Sequence, residues 1–98
     1  MEQFTFERLE KMVGEKLTVT LDNNQTAEVE ISDVQRTATH GKLWEAFALY
    51  LDCGELEGGL AQGTYPFSHE KLGEAALFVS PNSARELEVI FSRRVEQP

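Results

Sequence analysis

The chain has 98 residues, 41% hydrophobic and 27% charged, the balance of one soluble globular domain spanning 1–98 with no room for a second. Seventeen acids against nine lysines and arginines leave a net charge of −8. That argues against nucleic acid and anionic membranes as partners, because both select a basic footprint.

Met1-Glu2-Gln3-Phe4 has no basic or apolar leader character. No apolar run approaches the ~20 residues of a membrane-spanning helix. Cys53 is the single cysteine, so no intrachain disulfide can form, and a reducing, cytoplasmic location is expected.

The first predicted element is a short helix. Thr5 is a suitable N-cap and Glu7 suits the first turn. Phe6, Leu9, Met12 and Val13 form one apolar stripe, and Gly14 is a natural stop. The period then changes to two. Leu17, Val19 and Leu21 alternate with Lys16, Thr18 and Thr20; Ala27, Val29 and Ile31 alternate with Thr26, Glu28, Glu30 and Ser32. Each run reads as a half-buried antiparallel strand. Setting Leu21 against Ala27, Val19 against Val29 and Leu17 against Ile31 gathers the apolar side chains on one face. It leaves the loop Asn23-Asn24-Gln25, with an asparagine available for a left-handed residue.

Gln35 to Lys42 is polar and reads as an exposed loop or ragged strand ends. Trp44 to Leu51 is the strongest strand signal. Phe47, Leu49 and Leu51 make one face, and Ala46, Ala48 and Tyr50 the other. A central strand covered on both sides is predicted, with the N-terminal helix a candidate to lie on the alanines. Cys53 to Gly63 reads as a glycine-rich loop with Leu60 tucked inward. Pro66 cannot donate to a ladder, so Gly63 to Phe67 is predicted as an edge strand or a strand's end. Ser68 to Gly73 reads as a turn or a single helical turn. Two further strands, 75–80 and 86–93, are predicted to form a hairpin. Leu77 and Val79 oppose Phe78; Leu87, Val89 and Phe91 oppose Glu88, Ile90 and Ser92. The sum is a mostly β (α+β) chain: a small antiparallel β-barrel or sandwich of six strands with one short N-terminal helix.

Chemistry is sparse. His69 and Glu70 are neighbours in an extended segment and point opposite ways, so they are not a dyad. His40 lies in a polar loop. Asp52, Glu55 and Glu57 partly imitate a calcium loop, but Leu56 and the glycines that follow spoil the ligand spacing. No phosphate loop and no nucleophile elbow is present. Cys53 has acidic neighbours that oppose a reactive thiolate. No catalytic residue, cofactor or metal ligand is assigned. The aromatic segment Tyr65, Phe67 and His69, beside Pro66, is the candidate partner-binding site, since an edge strand can receive another strand.

Phe6-Glu7, Val13-Gly14-Glu15, Trp44-Glu45-Ala46-Phe47, Gln62-Gly63-Thr64-Tyr65, Leu72-Gly73 and Leu77-Phe78-Val79-Ser80-Pro81 together resemble an uncharacterised bacterial family of this size, a domain of unknown function. The resemblance spans nearly the whole chain. It implies a gene neighbourhood near phage tail-collar-like proteins and offers no catalytic residues to carry over. The segment Asn82 to Arg85 departs from it, being short and without glycine. The function expected is therefore a small non-enzymatic interaction or assembly module with a protein partner or self-association, and the resemblance implies a role as accessory to a phage-tail-like or tail-collar component. The alternative is a small ligand-binding barrel, or an enzyme, whose site draws on His40, His69, Tyr65 and Asp52.

Overall fold

The computed structural model describes residues 4–21, 23–37, 44–54, 60–83 and 85–94. They form one helix, α1 (Phe6–Glu10), and six strands: β1 (Lys16–Thr20), β2 (Thr26–Arg36), β3 (Trp44–Asp52), β4 (Gly63–His69), β5 (Gly73–Pro81) and β6 (Glu86–Arg94). All strand pairs are antiparallel and close into a barrel in the order β1-β2-β3-β6-β5-β4. Of the two architectures that the alternation allowed, the barrel is the one formed.

The predicted inward positions fill the interior. Leu17, Val19, Val29, Ile31, Phe47, Leu49, Leu51, Leu77, Val79, Leu87, Val89 and Phe91 are all buried in one cluster. Among the described residues no polar or charged residue is fully buried. Leu60 also tucks inward.

The first hairpin keeps the predicted facing but moves its register. Leu17 faces Val29 and Val19 faces Ala27, two residues away from the expected partners. A shift of two preserves the inward parity, so the glutamates stay outside. The turn sets the shift. Leu21 N–H donates to the Gln25 carbonyl at 2.7 Å, and Asn24, not Gln25, ends the loop in the left-handed region at φ 67°. Asparagine tolerates that conformation better than other side-chain-bearing residues.

β2 runs on through Gln35 and Arg36, which were expected as an exposed loop or ragged strand ends, so for these two the strand alternative is the one formed; residues 38–43, with His40, lie outside the described set. A bulge between Ile31 and Asp33 makes this extension possible. It inserts one residue, so the inward parity passes from Val29 and Ile31 to Val34. Ser32 Oγ closes the bulge by donating to the Tyr50 carbonyl at 3.0 Å.

The helix does not lie on the alanine face of β3. It closes one mouth of the barrel. The Phe6 ring meets Phe47 edge-on at 5.8 Å, and Phe47 stacks on Phe91 at 4.7 Å. The Arg36 guanidinium lies over the Phe6 ring, 4.2 Å from its centroid. Thr5 caps the helix by accepting from Arg8 N–H at 3.2 Å. The helix ends at Glu10 with Lys11 as C-cap, earlier than the stripe predicted, and Val13 is left 50% exposed. Gly14 takes φ 98° in the next turn, where its N–H donates to Ile31. Ala46 and Ala48 are nonetheless buried, as a central strand requires.

β4 is not an edge strand. It pairs with β5 along its whole length and with β1 at Phe67 and Ser68. The β1 ladder stops where Pro66 comes next, a residue with no N–H to donate. Gly73 takes φ 78° in the β4–β5 turn, whereas Gly63 keeps an ordinary strand conformation.

Candidate interaction surface

The three residues singled out from the sequence do not share a surface. Tyr65 and Phe67 point into the barrel and are buried. The Tyr65 hydroxyl donates to the Ala61 carbonyl at 2.8 Å. His69 sits at the barrel end that α1 closes. Its Nδ1 accepts from Lys71 N–H at 3.0 Å. That bond leaves the proton on Nε2, which donates to Glu15 Oε1 at 3.1 Å. His69 thus ties the β4–β5 turn to the start of β1. Proline parity explains the miss: Pro66 marks a gap in pairing, but it is Pro66 that faces out, so its two neighbours face in.

Asp52 lies at the opposite barrel end from His69, in the row where β3 pairs with Glu86. Its carboxylate accepts from Gly54 N–H at 2.7 Å and lies 3.5 Å from the Arg85 guanidinium. Residues 55–57 of the acidic loop fall outside the described residues, and among those described no group of three His, Cys, Asp or Glu is placed to hold a metal. Cys53 is buried beside it. Both its N–H and its thiol donate to the Arg85 carbonyl, at 2.7 and 3.0 Å. Burial raises the thiol above its ordinary value, and the Asp52 charge adds to this. A groove of about 640 Å³ runs from this point over the outside of β1 and β2, with Lys16, Glu28, Glu30, Asp52 and Arg85 among its walls. Tyr65, His69 and Asp52 therefore do not converge into the site that the alternative reading drew on.

The outer wall of β4, β5 and β6 is different in character. Pro66 and Ala76 are cross-strand partners and both exposed. Phe78 follows on β5, 51% exposed, and Ile90 on β6 is 59% exposed. The β5–β6 pairing stops at Ser80 with Glu88, and Phe78 and Ile90 lie two residues beyond it on the outward faces of their strands. Pro66, Ala76 and Phe78 thus form an apolar stripe across β4 and β5, and Ile90 adds an exposed apolar residue on β6. Carboxylates flank it: Glu74 on β5, and Glu88 and Glu86 on β6. They reach to Tyr50 on β3, whose phenol is raised above its ordinary value, first by partial burial and then by Glu88, Glu86 and Asp33. The sequence did carry a signal for the stripe. Phe78 and Ile90 are large apolar residues on faces that alternation makes polar.

Residues 4–91 match a family model described as Domain of unknown function (DUF6916). No curated protein and no solved structure matches the chain.

Proposed function

The chain belongs to the DUF6916 family, and from that premise we propose that it is a small protein-interaction or assembly module, not an enzyme, that docks a partner on the outer wall of β4, β5 and β6. One observation carries the reading: Phe78 and Ile90 stand more than half exposed on the outward faces of neighbouring strands, with the exposed pair Ala76 and Pro66 beside Phe78. Each large apolar side chain left in water forgoes roughly 1.5–3 kcal/mol of burial. A partner that covers the stripe recovers it. The carboxylate rim favours a partner with a basic face and opposes self-association of a chain that carries −8. The tail-collar-like proteins implied by the sequence resemblance are the first partners to try, in the role of an accessory to a phage-tail-like assembly.

The test is co-expression with such a neighbour-encoded protein, followed by size-exclusion chromatography with light scattering. A stoichiometric complex is expected, lost in the Phe78→Ser/Ile90→Ser variant. A complex that survives both substitutions would place docking elsewhere. The groove of about 640 Å³ supports a second reading, small-ligand binding beside Arg85. A metabolite that raises the melting point of the wild-type chain but not of the Arg85→Ala variant would favour it.

A further inference from the structure

His69 takes no part in the docking wall. It ends β4, where the chain turns into β5, and its side chain is only 9% exposed. A neutral imidazole offers one donor and one acceptor. Both are committed here: Nδ1 accepts from the Lys71 N–H at 3.0 Å, and Nε2 donates to Glu15 Oε1 at 3.1 Å. An imidazolium offers two donors and no acceptor. A second proton therefore lands on Nδ1, the atom at which the Lys71 N–H points, and sets donor against donor. The two ends differ in how firmly they are held. Glu15 is anchored by its own backbone. Its N–H donates to the Met12 carbonyl at 2.9 Å, and its carbonyl accepts from the Ile31 N–H at 2.8 Å. Glu70 and Lys71 are exposed in the turn. Beyond them the turn is fixed again, because Leu72 is buried and its N–H donates to the His69 carbonyl at 3.2 Å. The Lys71 peptide is the link that gives way.

We infer that His69 is a pH-sensitive clasp: acidification releases the Lys71 peptide of the β4–β5 turn while the ring stays fastened to Glu15. The inference is independent of the docking wall. The relative strength of the two bonds decides which is lost. An imidazolium donating to a carboxylate makes a charge-assisted bond, about twice as strong as a neutral one. An imidazole generally gains its proton at a higher pH than a carboxylate does, so there is a window in which the ring is charged and its partner is still ionised. The strands packed on β4 are β1 and β5. The charged groups that they and their connections bring are Lys11, Glu15 and Lys16 on the approach to β1, and Glu70, Lys71 and Glu74 around the turn. Among the described residues, Glu15 is the one that meets the ring within ion-pair distance. Lys16 stands across from Glu30, and Glu74 across from Ser68. The ladder of β4 with β5 runs from Gly63 to His69 and does not depend on the Nδ1 bond. The clasp therefore links pH to the shape of the hairpin's tip and not to closure of the barrel.

The test is amide and imidazole NMR on the full, nitrogen-labelled chain over the range in which imidazoles titrate, about pH 8 to 5. At the upper end the ring should be the Nε2–H tautomer and the Lys71 amide should be protected from exchange. As the ring titrates, the Lys71 protection factor should fall by about tenfold, the weight of one hydrogen bond. The Leu72 amide should keep its protection, and the Nε2–H resonance should persist into acid. His69→Asn places a carboxamide oxygen near the Nδ1 position and does not titrate, so its Lys71 amide should stay protected throughout. Glu15→Gln keeps an acceptor for Nε2–H without the charge, and should lose the Nε2–H resonance at the acid end. An Nδ1–H tautomer at the upper end would overturn the inference, as would a Lys71 protection factor that ignores the titration of the ring. An equal loss of protection in His69→Asn would assign the effect to acid in general and remove the ring from it. Survival of the Nε2–H resonance in acid in Glu15→Gln would show that the Glu15 charge does not hold the ring, and the clasp would fall.

Discussion

Tyr50 shows how a single side chain registers its surroundings. It faces Asp33 on one neighbouring strand and Glu88 on the other. Partial burial raises its phenol, and the carboxylates of Glu88, Glu86 and Asp33 raise it further. The sign of the linkage is set by that direction. The folded chain holds the proton more tightly than the unfolded chain, so the stabilisation is complete below the ordinary value of 10.0 and is lost as pH rises beyond it. Tyr50→Phe should therefore leave stability at neutral pH nearly unchanged and flatten the alkaline limb of a denaturant-midpoint curve. Parallel curves for the two proteins above pH ~10 would contradict this. Single residues were also where the sequence misled. Alternation told which residues share a face, and it placed Tyr65 with Phe67 and Phe78 opposite Leu77 correctly. It could not tell that Pro66 points outward, because that depends on which face β5 and the core present to it.

At the scale of elements, strand identities and inward faces were legible, and the departures have local causes. A left-handed Asn24 moved one register by two residues, and the bulge at Ser32 added a second inward run to β2. Neither is visible in alternation, because both lie where it pauses. Two glycines separate conformational need from space. Gly73 sits at φ 78° with nothing within 4 Å of an added Cβ. Its requirement is backbone conformation alone, so Gly73→Ala should cost about 1 kcal/mol. Gly63 has an ordinary φ, and an added Cβ would meet the Tyr65 ring at 3.7 Å, a normal contact. Gly63→Ala should be neutral or gain up to roughly 1 kcal/mol by restricting the unfolded chain. Urea denaturation of both variants decides the matter. An equal loss in the two would mean that φ is not what distinguishes them.

The whole molecule is a barrel of unequal seams. β1, β2, β3 and β6 form one continuous sheet through long ladders, and β4 and β5 form a hairpin paired over seven residues. Two short seams join hairpin to sheet, at Thr18–Val19 with Phe67–Ser68 and at Ser80–Pro81 with Leu87–Glu88. The rest of the union is side-chain packing, with Phe67, Leu77 and Val79 inserted among the core residues of the sheet, and the hydrogen bond of His69 with Glu15. Segments with few cross-boundary hydrogen bonds open at lower free energy than the global transition. The β4–β5 hairpin should therefore detach as a unit before the four-stranded sheet melts. Native-state hydrogen exchange in graded denaturant should place the Leu77 and Val79 amides on a lower-energy opening than those of Leu49 and Val89. Opening of all four on a single isotherm would show the barrel to be one cooperative unit. The same asymmetry bears on the docking wall. A partner docked across the outer wall of β4, β5 and β6 would bridge the hairpin and the sheet, so a bound partner should raise the Leu77 and Val79 opening energies toward the global value. Partner binding that left them unchanged would mean that the wall is covered without the seam being closed.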